Sequence, residues 1–97
     1  MQKTKERKKL ENSVIRAVQH YLCEDDKDNV KLGAELIDGL GLDSLDVMEL
    51  SISLEKNFSF TEKDVVWDAF WSNRQATVKE LCDFVEKRIQ HGVEEER

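Results

Sequence analysis

The side chains that could act as nucleophiles or bases are few in this sequence of 97 residues. Its histidines, His20 and His91, lie near opposite ends of the chain, and no neighbouring residue suggests a base placed beside a nucleophile. Cys23 and Cys82 have no metal-ligand spacing and are too few for a disulfide framework, so we expect reduced, partly buried thiols. The sequence therefore predicts no catalytic residue, and we expect the protein not to be an enzyme.

One acidic segment begins like a calcium-binding loop. Asp26-Lys27-Asp28 places carboxylates at alternate positions, as such loops do. However, the position that requires glycine is occupied by Lys31, and the twelfth position, which requires glutamate, is occupied by Ile37. The remaining carboxylates are typical of a solvated helical surface, so the sequence predicts no metal site.

Ser44 lies in a position that does suggest a site. It belongs to the turn Gly41-Leu42-Asp43-Ser44-Leu45, at the beginning of a predicted helix. A serine there is ordinarily an N-cap, which stabilises a helix by about 0.5–2 kcal/mol. Asp43 can cap the helix instead, and that would leave the Ser44 hydroxyl free. Because a helix N-terminus also stabilises an anion, by about 0.3–1 kcal/mol, a phosphoryl group esterified to Ser44 would be favourably placed.

Hydrophobic periodicity predicts an all-α domain, a four-helix bundle with a long loop between helices one and two and a short third helix. We expect the helices at about residues 10–22, 44–57, 65–71 and 78–91, with Gly92 ending the last of them. Thr61 and Thr77 are the expected N-caps of the third and fourth helices. The connection over residues 24–43 should be an ordered loop with one helical turn near residues 34–37.

The second predicted helix carries two apolar stripes on different faces. The first has core spacing and consists of Val47, Leu50, Leu54 and Phe58. The second consists of Leu45, Met48 and Ile52. Because one core needs only one stripe, the second stripe is either additional core or a surface for a partner.

Charge is distributed unevenly along the chain, whose net charge is −6. Residues 1–20 carry six basic and two acidic side chains, whereas residues 24–64 carry four basic and twelve acidic ones. An acidic field repels phosphates and attracts basic proteins, so nucleic acid is disfavoured as a partner. We find no apolar stretch long enough to span a membrane and no signal peptide. We expect a single domain over residues 1–97, with a basic extension at 1–9 and an acidic tail at 93–97, that acts as a cytoplasmic monomer.

The residues around Ser44 resemble the acyl carrier proteins. The motif Gly41-Leu42-Asp43-Ser44-Leu45-Asp46 is similar to the start of the second helix in that family. Further similar positions are Leu32, Asp38-Gly39-Leu40, Met48-Glu49-Leu50, Leu54-Glu55, Phe58 and Thr77-Val78. The resemblance therefore extends over about residues 10–90.

This resemblance implies a helical bundle that bears 4′-phosphopantetheine on Ser44. A separate enzyme, a phosphopantetheinyl transferase, would attach the group with coenzyme A and magnesium. The arm would carry acyl groups as thioesters in fatty acid, lipid or polyketide biosynthesis. Enzymes that load or process the acyl group would dock through basic patches. By position in the family, the residues that contact these partners are Asp43, Leu45, Asp46, Met48, Glu49, Ile52 and Glu55.

Several features depart from the family pattern and favour a specialised pathway. Lys56 stands where the second helix is usually acidic, and the proline-containing turn before the third helix is absent. The segment between Phe58 and Val78 is longer than in the carriers of fatty acid synthesis and contains Trp67 and Trp71. We expect these tryptophans to shape an acyl pocket, to fill the core or to form a docking patch.

Two alternative functions stay open at the level of sequence. An aminoacyl or peptidyl carrier more often has Gly-Gly-His or Gly-Gly-Asp before its serine, and Leu42 argues against that class. An unmodified helical adaptor could use the acidic face for binding alone. The two alternatives differ from an acyl carrier in cargo or in modification rather than in fold.

Overall fold

A computed structural model describes the backbone of residues 2–58 and 67–95, and the side chains of residues 6–58 and 67–88. In chain order its helices are α1 (Gln2–Gln19), a 3₁₀ helix (Glu24–Asn29), α2 (Ser44–Phe58), α3 (Trp67–Trp71) and α4 (Val78–Glu95). No β-strand occurs in these ranges, and Glu35 and Thr77 form an isolated antiparallel bridge. The predicted all-α bundle, with its long first connection and short third helix, is confirmed.

The predicted limits of three helical segments are wrong. Helix α1 begins at Gln2, so the basic run is helical, and it ends at Gln19, where Tyr21 and Leu22 donate to carbonyls three residues earlier. The helical segment of the loop lies at Glu24–Asn29 rather than near residues 34–37. Helix α4 passes through Gly92 to Glu95, because a single glycine lowers helix stability by only about 1 kcal/mol. The predicted cap Thr61 lies outside the described residues.

The core lies between α1, α2 and α4, because each of these helices supplies one apolar face. Helix α1 contacts both of the other two. The completely buried side chains are Val14, Val18, Leu36, Leu50, Leu54, Val78, Leu81, Cys82 and Val85. Val47 and Phe58, which the sequence predicts as core, are partly buried and pack against this cluster. Burial of one large aliphatic side chain contributes about 1.5–3 kcal/mol, so this interior supplies most of the stabilisation.

Arg7 joins α1 to α4 through ion pairs. Its guanidinium contacts Glu11 at 2.8 Å on its own helix, and Asp83 at 2.7 Å and Glu86 at 2.6 Å on α4. Partial burial alone would lower the pKa of Arg7, but hydrogen bonds to Glu11 and Asp83 raise it above its ordinary value. This shared cation explains why the basic N-terminal residues continue α1.

The long loop is bonded to the beginning of α4. The first turn of a helix has N–H groups without partners inside the helix. Here Val78 N–H donates to the Ala34 carbonyl at 2.9 Å, and Lys79 N–H donates to the Leu32 carbonyl at 2.8 Å. Thr77 Oγ1 accepts the Glu80 N–H at 3.2 Å, which confirms the predicted N-cap. These bonds fix the loop that leads into α2.

Two glycines form the turn before α2. At Gly39 a Cβ atom would lie 2.7 Å from the Glu35 carbonyl oxygen, which is closer than real Cβ contacts. Gly41 has φ of +82°, in the left-handed region that L-residues avoid. Leu42 N–H then donates to the Leu36 carbonyl at 3.2 Å, and Leu42 itself is buried. The turn therefore positions Asp43 and Ser44 through backbone geometry that requires glycine.

We expect Gly41→Ala to lower the free energy of unfolding by about 1–2 kcal/mol, because alanine at this φ is strained. Gly33→Ala is the matched control, since a Cβ there meets no atom within 4 Å and its φ lies outside the left-handed region. Urea unfolding followed by circular dichroism measures both variants. Equal destabilisation by the two substitutions would show that the turn does not depend on the left-handed conformation.

Candidate functional site

The candidate site begins with the cap of α2, which Asp43 provides. The Asp46 N–H donates to Asp43 Oδ1 at 2.8 Å, and the Asp43 N–H donates to Asp46 Oδ2 at 3.3 Å. This reciprocal pair is a capping box with aspartate at both positions. The prediction that Asp43 caps the helix in place of Ser44 is confirmed.

Ser44 is the first residue of α2 and is exposed. Because Asp43 occupies the capping position, the Ser44 hydroxyl makes no hydrogen bond within the described part of the chain. Helix α2 is 15 residues long, so the positive end of its dipole lies beside this hydroxyl. An exposed and unbonded hydroxyl at such a position fits the attachment of a phosphoryl group.

The second apolar stripe of α2 faces solvent. Leu45 and Met48 are each 58% exposed and Ile52 is 46% exposed, whereas Leu50 and Leu54 are completely buried. The alternative interpretation, in which Leu45 and Met48 belong to the core, is therefore wrong. An exposed row of large apolar residues beside a modifiable hydroxyl is typical of a surface that contacts another protein.

The acidic residues near the stripe differ in their surroundings. Asp43 and Glu49 are exposed, and Asp46 is half-buried in the capping box. Burial raises the pKa of Tyr21, just after α1, and the negative charges of Glu49 and Asp46 raise it further. The electrostatic field of these two carboxylates therefore extends to the end of α1. A negative potential therefore surrounds the beginning of α2.

Glu55 has a contact that the sequence does not predict. Its Oε2 accepts a hydrogen bond from Trp67 Nε1 at 2.6 Å. Similarly, Trp71 Nε1 donates to Ser51 Oγ at 2.8 Å, and Ser51 Oγ donates to the Val47 carbonyl. The tryptophans, four residues apart, therefore fasten α3 to α2, and the carboxylate of Glu55 is already engaged inside the protein.

An aromatic cluster connects α3 to α4. Trp67 lies 4.9 Å from the Phe84 ring, and Phe70 lies 5.2 Å from it. Trp67 and Trp71 stack at 6.3 Å, and the Arg88 guanidinium lies 4.6 Å above the Phe84 ring. The tryptophans pack partly buried against the core. Their role in shaping an acyl pocket stays a prediction.

The cysteines and histidine do not join this site. Cys82 is buried in the core, and that burial raises the pKa of its thiol to about 12. Cys23 is exposed, so the expectation that both thiols are partly buried is wrong. His20 is exposed and contacts the ring of Tyr21. In residues 2–58 and 67–95 no group of side chains could hold a metal ion.

Comparison with known proteins places this geometry in a family. Residues 12–85 match the family of phosphopantetheine attachment sites. An acyl carrier protein of Bdellovibrio bacteriovorus is 38% identical over 63 residues, which cover 65% of this chain and 74% of that protein. An acyl carrier protein of Phytoplasma mali is 27% identical over 79 residues, which cover 78% of this chain and 88% of that protein. No solved structure gives a significant match.

The chain therefore belongs to the acyl carrier protein family of phosphopantetheine-bearing domains. Members of this family are carriers rather than catalysts, and their prosthetic group is covalently attached 4′-phosphopantetheine. No helix within the described residues is long and apolar enough to cross a bilayer.

We expect Asp43→Ala and Ser44→Ala to differ in stability. Asp43→Ala removes the cap and should lower the free energy of unfolding by about 0.5–2 kcal/mol. Ser44→Ala removes an exposed hydroxyl without hydrogen bonds, so the change should stay within about 0.5 kcal/mol. Chemical denaturation measures both. A larger loss for Ser44→Ala than for Asp43→Ala would contradict the assignment of the cap.

Proposed function

We propose that this protein carries acyl groups as thioesters on a 4′-phosphopantetheine arm attached to Ser44. The observation that carries the proposal is the free, exposed hydroxyl of Ser44 at the beginning of α2, beside a cap supplied by Asp43. The attached group supplies the thiol that forms the thioester. The Ser44 oxygen would form an ester bond with the phosphate adjoining the pantetheine of coenzyme A. The pyrophosphate bond would break, adenosine 3′,5′-bisphosphate would leave, and the hydroxyl proton would be released.

The protein's own residues would hold the attachment point and present it to enzymes. The positive end of the α2 dipole would favour the phosphate charge, since a helix N-terminus stabilises an anion. The Asp43 and Asp46 carboxylates of the capping box would oppose it. The turn at Gly39 and Gly41 fixes the position of Ser44 at the surface of the bundle. Neither contribution requires a catalytic residue, which agrees with a carrier.

Partner enzymes would contact a docking face on α2, made of the exposed apolar stripe and the acidic side chains beside it. This docking face consists of Asp43, Leu45, Asp46, Met48, Glu49, Ile52 and Glu55. The apolar members supply contact area, and the acidic members attract a basic patch on a phosphopantetheinyl transferase or an acyl-processing enzyme. Glu55 would be less free than Glu49 to turn toward a partner, because its carboxylate already accepts a hydrogen bond from Trp67.

The pathway we infer is a specialised branch of lipid or polyketide biosynthesis rather than general fatty acid synthesis. The features that support it are Lys56 in the second helix and the tryptophan-bearing third helix, both departures from the fatty-acid carriers. The unpaired Cys23 and Cys82 suit a reducing compartment such as the cytoplasm. An aminoacyl or peptidyl carrier would share the site but differ in cargo, which the mass of the loaded thioester distinguishes.

We expect the purified protein, incubated with coenzyme A and a broad-specificity transferase, to gain one phosphopantetheinyl group by intact mass. Ser44→Ala should abolish the gain, since no other hydroxyl occupies the modified position. Ser13→Ala, which removes an exposed serine from α1, is the matched control and should load normally. Loading of Ser44→Ala would contradict the assignment of the attachment site to Ser44. No loading of the wild type would contradict the proposal and favour an unmodified adaptor.

We expect Glu49→Lys and Met48→Ala to slow loading without unfolding the domain. Charge reversal at Glu49 should matter less at high salt, because ions screen exposed charges. Loss of the apolar contact at Met48 should depend little on salt. Glu6→Lys makes the same charge change at an exposed position of α1 and should load normally. Loading rates are measured across a salt series.

The stability of Met48→Ala separates docking from folding. The free energy of unfolding should change by less than about 0.5 kcal/mol, because the side chain is largely exposed. A loss of about 2–5 kcal/mol, typical of truncation in a core, would show that Met48 is structural and would remove it from the docking face.

A further inference from the structure

The outer face of α1 carries a basic row that the proposed carrier function does not use. Lys9 and Arg16 follow helical spacing along one line that continues to His20, and all three are exposed. The line runs opposite the buried residues of the helix, Val14 and Val18. At 1.5 Å per residue it is about 16 Å long between Lys9 and His20. Its other exposed members, Asn12 and Ser13, are uncharged.

The charges of this row are available for a partner. Lys9 and Arg16 of the row, and Lys8 on the neighbouring face of α1, are exposed and form no ion pair with any residue in the described ranges. The two acidic residues nearest to them along α1 are Glu6 and Glu11, and the Glu11 carboxylate is paired with Arg7. Arg7 also contacts Asp83 and Glu86 of α4, so its single charge is shared among three carboxylates on the side of α1 that contacts α4. Lys8, Lys9 and Arg16 therefore present positive charge that no ion pair in the described ranges compensates.

The row offers charge without apolar contact. The exposed large hydrophobic side chains of the described residues, Leu45, Met48 and Ile52, all belong to α2. Protein interfaces usually contain an apolar or aromatic centre. A face that has only cations suits an anionic surface that is bound through charge alone.

We propose that the basic row of α1 attaches the protein reversibly to the anionic headgroups of a lipid bilayer. Each Lys or Arg near such a surface contributes a factor of about five in affinity, so a row of this size gives weak and salt-sensitive binding. Lipids diffuse laterally, so anionic headgroups can collect under Lys8, Lys9 and Arg16 and leave the acidic 3₁₀ helix over neutral ones. The phosphates of a nucleic acid are fixed along the polymer and cannot rearrange in this way.

Attachment through α1 would leave the docking face accessible. The basic row lies opposite the face of α1 that packs on the core, and Met48 and Ile52 lie opposite the face of α2 that packs on the same core. Asp46 and Glu49 come closest to the C-terminal end of the row, since their charges reach Tyr21 beside His20. Attachment therefore depends on the cations of the N-terminal part of α1.

The test is co-sedimentation with vesicles, carried out on the full chain carrying Ser44→Ala so that modification cannot influence the result. Binding should occur with equimolar phosphatidylcholine and phosphatidylglycerol, should be absent with phosphatidylcholine alone, and should weaken as salt rises. The double variant Lys9→Glu, Arg16→Glu should lower the partition coefficient by at least about twentyfold. Lys31→Glu, Lys87→Glu makes the same charge change at exposed positions outside the row and should bind like the parent.

Folding of each variant is checked by circular dichroism, and Lys9→Ala, Arg16→Ala provides a milder version if the reversal perturbs α1. No binding to anionic vesicles at low salt, or equal loss in the control variant, would overturn the proposal. Equal binding to neutral and to anionic vesicles would likewise overturn the proposal. Binding to duplex DNA of comparable charge but not to vesicles would also overturn it and would assign the row to nucleic acid.

Discussion

The hydrogen bond between Asp43 and the first turn of α2 determines what the rest of the site can do. A helix of this length needs a partner for its leading N–H groups, and a serine at the same turn would normally supply one. Because Asp43 and Asp46 satisfy each other's N–H groups, Ser44 keeps an unbonded hydroxyl at the positive end of the helix. The stability of α2 and the availability of its serine are thus separate properties.

The cap in turn depends on distant parts of the chain. Gly39 and Gly41 permit a turn that brings Asp43 to the helix start, and Leu42 anchors that turn in the core. The loop before it is bonded to the beginning of α4, so the orientation of Ser44 is set by the whole bundle. The result is that loop, turn and α4 together support the helix that carries the exposed apolar stripe, as the proposed docking face requires.

The features that could be predicted from sequence are those governed by near neighbours. The caps at Asp43 and Thr77 depend on residues three positions away, and helical periodicity predicts a second apolar stripe through Met48, whose exposure only the structure decides. The features that could not be predicted join residues far apart in the chain. Neither the ion pairs between Arg7 and α4 nor the hydrogen bond from Trp67 to Glu55 has a local signal, because both depend on how the helices pack.

The bonds between the long loop and α4 also affect how the protein opens. N–H groups in the first turn of a helix usually exchange quickly with solvent hydrogen, since they lack internal partners. Here the amides of Val78 and Lys79 donate to the carbonyls of Ala34 and Leu32, and Val78 is completely buried. Exchange at these amides therefore requires the loop to separate from α4. The loop and the start of α4 form one cooperative unit, whose opening would release the turn that holds Ser44.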